Sequence, residues 1–217
     1  DPKIKKAIDL SYSRIFKFHS LQKIKNIKYI DKYKNKIEYK CVPIQKVGVY
    51  VPANLPSTLL MNVIPAKIAG VKRIVCVTPP SLELNPYFLA LLNELDIKET
   101  YLVGGAQAIA ALTYGTKTIK PVNKIFGPGN AFVAEAKKQL FGKVGIDLIA
   151  GPSEIVVVAD KNENPEWIAS DLIAQAEHDE KSQTILIVDN ILFAKKIREL
   201  IKKISNNLSK KSIIKKS

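Results

Sequence analysis

The chain has 217 residues, 47% of them hydrophobic and 25% charged, with ten glycines and twelve prolines, the make-up of one or two ordinary globular domains that need no cross-links to fold. Its two cysteines, Cys41 and Cys76, are too few and too far apart for a disulfide scaffold or a cysteine-based zinc module. No apolar run approaches the roughly eighteen residues of a membrane span, so membrane and secreted readings are set aside and a reducing cytoplasm is expected. The net charge of +14 sits at the two ends: residues 1–40 and 191–217 each carry a surplus of eight positive charges, and 31 of the 34 basic residues are lysines. Sequence-specific nucleic-acid readers lean on arginine and on interleaved aromatics, so no nucleic-acid partner is expected.

In chain order, apolar residues three or four apart among lysines predict an amphipathic helix over residues 3–30. Residues 47–51 read as a strand ended by Pro52. Residues 59–69 read as a helix entered through Ser57, closed by Gly70 and bent or interrupted at Pro65. A strand at 73–78 stops at Pro79, and Ser81 is expected to cap a helix reaching about Leu95. Then follow strand 100–103, helix 106–114, strand 124–126 and helix 131–141. Strands 146–149 and 155–159, helix 165–177, strand 184–188 and a basic helix over 192–208 complete the chain. Alternating strands and helices with short connections predict an α/β fold: a parallel sheet, in incomplete Rossmann-like halves covered by helices, after an N-terminal helical segment. The expected division is a segment 1–45 and an α/β region 46–217, with a boundary between halves near 105–150.

Neither common phosphate fingerprint, G-x-G-x-x-G or G-x-x-x-x-G-K-[ST], is present. In their place stands Gly127-Pro128-Gly129-Asn130, between a strand and a helix, where tight backbone and a helix N-terminus suit an anion. From spacing alone a structural turn with Asn130 as a cap is the favoured reading. Gly104-Gly105-Ala106-Gln107 is a second strand-to-helix turn, and both belong to the rim formed by the carboxyl ends of the strands, where open α/β sheets bind ligands. In Gly151-Pro152-Ser153-Glu154 the serine can bind a substrate or only tie its own turn, and it lacks the frame of a nucleophile. Gln175-Ala176-Glu177-His178-Asp179 closes a predicted helix; an amide and an imidazole three apart can meet one cation, although an imidazole is also favoured at a helix C-terminus by the dipole alone. Zinc takes about four ligands, so two cannot close a site.

Taken together and in order, these segments resemble histidinol dehydrogenase. The resemblance is carried by residues 103–112 (VGGAQAIAAL), 124–130 (KIFGPGN), 149–154 (IAGPSE) and 170–178 (SDLIAQAEH), and extends over nearly the whole chain. It implies a zinc- and NAD-dependent oxidation of L-histidinol to the aldehyde and then to L-histidine, in histidine biosynthesis, by a homodimer. At the matching positions Tyr50, Gln107 and Asn130 would contact NAD. Ser153 would contact the substrate, and Gln175 and His178 would bind zinc and bring the substrate to it.

The resemblance also implies two departures. Family chains are about twice as long, and their Glu-His proton-transfer pair and remaining zinc ligands have no counterpart among residues 179–217. No catalytic residue is therefore expected here, and this polypeptide alone is expected to be inactive. The family's glycine-rich stretch after the tyrosine strand is replaced by Pro52-Ala53-Asn54-Leu55-Pro56-Ser57. Two other readings stand beside the enzyme: a non-catalytic remnant keeping some NAD or metal affinity, and a dehydrogenase acting on another amino alcohol.

Overall fold

A computed structural model describes residues 1–81, 83–149, 151, 154–180 and 182–216, which fall into two compact units, Asp1–Ala150 and Gly151–Ser217. The first begins with helix α1 (Pro2–Leu21), entered through an Asp1 side chain that accepts the Lys3 N–H. The helix expected over 3–30 ends at Leu21. Beyond it the chain forms an antiparallel hairpin, β1 (Ile27–Ile30) with β2 (Lys36–Tyr39). The hairpin turn is held by Asp31, whose carboxylate accepts the N–H groups of Tyr33 and Asn35 at 2.8 Å each. Such a local side-chain bond competes with helix, and here it wins.

Five parallel strands follow: β3 (Lys46–Tyr50), β4 (Arg73–Thr78), β5 (Glu99–Leu102), β6 (Lys124–Phe126) and β7 (Gly145–Ile146), in the spatial order β5-β4-β3-β6-β7. The expected strand at 146–149 shrinks to that two-residue pairing. Helices α2 (Pro56–Ile68) and α3 (Pro86–Glu94) cover one face of the sheet, and α4 (Gly105–Tyr114) and α5 (Ala131–Leu140) the other. Strand alternation explains the division. Val47, Val49 and Val51 meet Leu59, Val63 and Phe88 on the α2–α3 side, whereas Tyr50, Val75 and Val77 meet Ile109, Leu112 and Val133 on the other. Because both faces are covered, β3 and β4 are nearly continuous buried apolar runs. Burying each such side chain contributes about 1.5–3 kcal/mol.

Several helix starts differ from the expected ones. Ser81 does not cap α3; its hydroxyl donates to the Glu83 carbonyl, and Asn85 caps the helix by accepting the Tyr87 N–H. Pro56, not Ser57, opens α2, and Pro65 lies near its end without breaking it. Asn130, Asn164 and Asn190 likewise cap α5 and two later helices, α6 (Pro165–Ala176) and α7 (Ile191–Ser205), each side chain accepting an N–H two or three residues on. The abundant asparagine of this lysine-rich sequence therefore has a structural use.

The second unit contains β8 (Glu154–Ala159), α6 (Pro165–Ala176), β9 (Gln183–Val188), α7 (Ile191–Ser205) and the short α8 (Lys211–Ile214). β8 and β9 pair in parallel, from Glu154 opposite Gln183 to Ala159 opposite Val188. One face of this pair packs Ile155, Val157 and Leu186 on Ala169, Leu172 and Ile197, while Val156, Val158, Ile185 and Ile187 on the other face are exposed. Among the described residues no helix is long and apolar enough to cross a membrane.

Candidate functional site

The order of the five-stranded sheet creates a reversal. From β3 the chain steps outward through β4 to β5, then crosses back to lay β6 and β7 on the other side of β3. Crossover helices diverge at such a point, leaving a crevice at the carboxyl ends of the two central strands. Here those strands are β3 and β6; Val49 is opposite Phe126, so their next residues, Tyr50 and Gly127, stand side by side at the crevice.

Tyr50 is 3% exposed, and both glycine turns abut it. Its hydroxyl accepts the N–H of Gly105, in the β5–α4 turn, at 3.1 Å. Its carbonyl faces Gly127, in the β6–α5 turn, so closely that a Cβ on Gly127 would lie 2.1 Å from the oxygen. Gly127 has φ +110°, a backbone that L side chains rarely adopt, so both conformation and space require glycine there. The segment expected to contact a cofactor through Tyr50 is thus also the piece that holds the two turns.

Gln107 lies exposed in the first turn of α4, its amide folded back over Gly105. Asn130 is exposed at the N-cap of α5 and accepts the Val133 N–H at 3.1 Å. The earlier N–H groups of each helix have no intrahelical acceptor and carry the positive end of its dipole, which suits an anionic group. Tyr50, Gln107 and Asn130 are therefore together on the C-terminal edge of one sheet. Next to them, in the segment that stands in place of the family's glycine-rich stretch, Ala53 and Asn54 adopt left-handed backbone, with φ 49° and 54°. Buried Asn54 accepts the Thr78 hydroxyl at 2.9 Å, fixing this strained turn to the end of β4.

Two residues that sequence reasoning missed lie beneath the β6–α5 turn. Lys137 of α5 is buried, and its ammonium donates to the Gly127 carbonyl at 2.6 Å and to Asp147 at 2.7 Å. Asp147 in turn accepts the Gly127 N–H at 2.8 Å. Lys137 is four residues beyond buried Val133, so helical periodicity would have placed it on the inner face of α5.

In the second unit Gln175 lies half-buried in the last turn of α6, and His178 is exposed two residues past the helix end, its N–H donating to the Gln175 carbonyl at 3.1 Å. The two do not share one regular helical face, since α6 ends at Ala176. Amide oxygen and imidazole nitrogen are both competent zinc donors, but they make two ligands of about four. Among the described residues no cluster of three or more His, Cys, Asp or Glu could hold a metal. Ser153, the expected substrate contact, lies with Pro152 outside the described residues.

The family model described as histidinol dehydrogenase matches residues 1–217. The chain belongs to the histidinol dehydrogenase family. It is 59% identical over 202 residues to the histidinol dehydrogenase of Pelagibacter ubique, a match covering 91% of this chain and 47% of that protein. The crystal structure of histidinol dehydrogenase from Elizabethkingia anophelis superposes with a TM-score of 0.92 at 38% identity, over all of this chain and 51% of the other. A succinate-semialdehyde dehydrogenase from Burkholderia pseudomallei shares the fold, with a TM-score of 0.62 at 16% identity, covering 93% of this chain and 43% of that one. The chain thus spans about half the length of the histidinol dehydrogenases it matches.

Proposed function

We propose that this chain supplies the nucleotide-holding part of a histidinol dehydrogenase, which oxidises L-histidinol to L-histidine in two NAD-dependent steps. The observation that carries the reading is the convergence of both glycine turns on Tyr50 at the reversal of a sheet whose whole sequence matches that family. NAD, when bound, accepts hydride; the work of this chain is to hold and orient it. The N-termini of α4 and α5 would face its phosphates, with Gln107 and Asn130 at the rim and Tyr50 keeping the turns apart at a fixed distance. Gly127 fits this role because the cradle it forms has no space for a side chain.

Gln175 and His178 would serve as two zinc ligands that also bring the substrate imidazole and amine to the metal, with Ser153 as a further substrate contact. The described donor set does not complete a zinc shell. No side chain here is assigned to proton transfer, which needs a group within hydrogen-bond reach of the alcohol. The 217 residues alone are accordingly read as inactive. A cytoplasmic homodimer is the proposed setting; the two free cysteines are compatible with a reducing compartment.

The test is a calorimetric titration of the purified chain with NAD, beside an assay for NADH formation from histidinol with zinc added. Saturable NAD binding, weakened at least about ten-fold by Asn130→Ala and by Gln107→Ala, is expected, with no NADH produced. Absence of saturable binding would overturn the cofactor assignment, and turnover at an ordinary dehydrogenase rate of about 1 per second or more would overturn the inactivity.

A further inference from the structure

A buried ion pair is a poor device for stability, because desolvating two charges offsets most of what their attraction returns. Lys137 and Asp147 form such a pair, with side-chain exposures of 4% and 22%. Its geometry suggests a different use. Lys137 projects back along α5, past the helix start, and donates to the carbonyl of Gly127, while Asp147, just after β7, accepts the N–H of the same residue. The second Asp147 oxygen accepts both the ammonium and the Leu148 N–H. Both peptide groups of one glycine are thus gripped by opposite charges that also neutralise each other.

Gly127 is where such a grip has the most effect. It is pressed against the Tyr50 carbonyl with φ +110°, and it leads through Pro128 and Gly129 into the N-cap of α5. A glycine-rich turn left to itself samples many conformations, which a ligand must then freeze at a cost in affinity. We propose that Lys137 and Asp147 are positioning residues that clamp Gly127 and so pre-organise the 127–130 turn for the nucleotide. Neither touches the ligand. The neutralising role of Lys137 matters as well, because Asp147 without it would place a bare carboxylate under a turn that receives phosphate. This inference rests on the cofactor assignment above.

The experiment compares the full chain with Lys137→Met and with the double variant Lys137→Met, Asp147→Leu. In the double variant both charges are removed together, so no ion is left buried alone and the fold is retained. NAD affinity by calorimetry and exchange of individual backbone N–H groups by NMR are read for each protein. The expected result is NAD binding at least about ten-fold weaker in both variants. Exchange at Gly127 should be at least about ten-fold faster in the double variant, while the N–H of Val63 in α2 keeps its protection. A merely structural pair would lower the melting temperature and, because Asp147 is the acceptor of the Gly127 N–H, still speed its exchange, but would leave NAD affinity unchanged; that result overturns the proposal. If Lys137→Met fails to fold, the double variant decides. If the unaltered chain does not bind NAD, the cofactor assignment falls, and Gly127 exchange still decides whether the clamp exists.

Discussion

The Tyr50 hydroxyl accepts the backbone N–H of Gly105 at 3.1 Å, across 55 residues of sequence, and so fastens the end of β3 to the turn that opens α4. A buried phenol normally finds a partner, and this one has found a main-chain donor in a glycine with φ +63°. Tyr50→Phe removes the acceptor and leaves the Gly105 N–H unpaired. We expect a loss of about 1–2 kcal/mol in urea denaturation. Because the same bond holds the Gln107 turn in place, NAD affinity should also fall, by several-fold in calorimetry. Lower stability with unaltered affinity would reduce Tyr50 to a packing residue.

Gly127 and Gly142 separate backbone strain from close approach. Both have positive φ, +110° and +95°, but a Cβ on Gly127 meets the Tyr50 carbonyl at 2.1 Å, whereas nothing lies within 4 Å of one on Gly142. Gly142→Ala therefore carries the conformational cost alone, about 1–2 kcal/mol. Gly127→Ala adds an overlap with main chain that no rotamer can relieve, and is expected to cost about 3 kcal/mol or more. Equal shifts of the two denaturation midpoints would mean that the β3–β6 contact is looser than described.

The same residues show what a sequence reveals. The turns at 104–107 and 127–130 were legible as turns because paired glycines stand between an apolar strand and a helical pattern, and the family resemblance assigned Tyr50, Gln107 and Asn130 to contact with NAD. Burial of Tyr50 and its bond to Gly105 depend on which strands are neighbours, which no local pattern contains. Lys137 was hidden by its own abundance: among so many solvated lysines, one on an inner helix face is visible only if periodicity is read through a charged residue. The 27–39 hairpin was lost because its exposed, lysine-interrupted residues imitate helical spacing, and the Asp31 turn that decides against helix is a matter of a few hydrogen bonds. Ala53 and Asn54 show that a left-handed turn does not need glycine when a buried contact such as Asn54 to Thr78 fixes it.

At the opposite edge of the same sheet, remote from the candidate site, stability should depend on pH through Arg73 and Glu99. The guanidinium donates to both Glu99 oxygens, at 2.6 and 2.7 Å, and also to the carbonyls of Lys120 and Pro121. It thereby ties the starts of β4 and β5 to the loop before β6. The Arg73 side chain beside it holds the Glu99 carboxyl below its usual value of 4.5, chiefly through these hydrogen bonds. A carboxyl depressed in the folded state stabilises fully above its unfolded value, and the contribution disappears as pH falls through the depressed folded value. Glu99→Gln should cost about 1 kcal/mol at pH 7, a figure reduced for the partial exposure of the pair. The gap between variant and parent should close as the solution is taken below about pH 4. Denaturation midpoints collected from pH 7 down to pH 3 check the sign: a gap that stays constant would show that Glu99 contributes by packing rather than by charge.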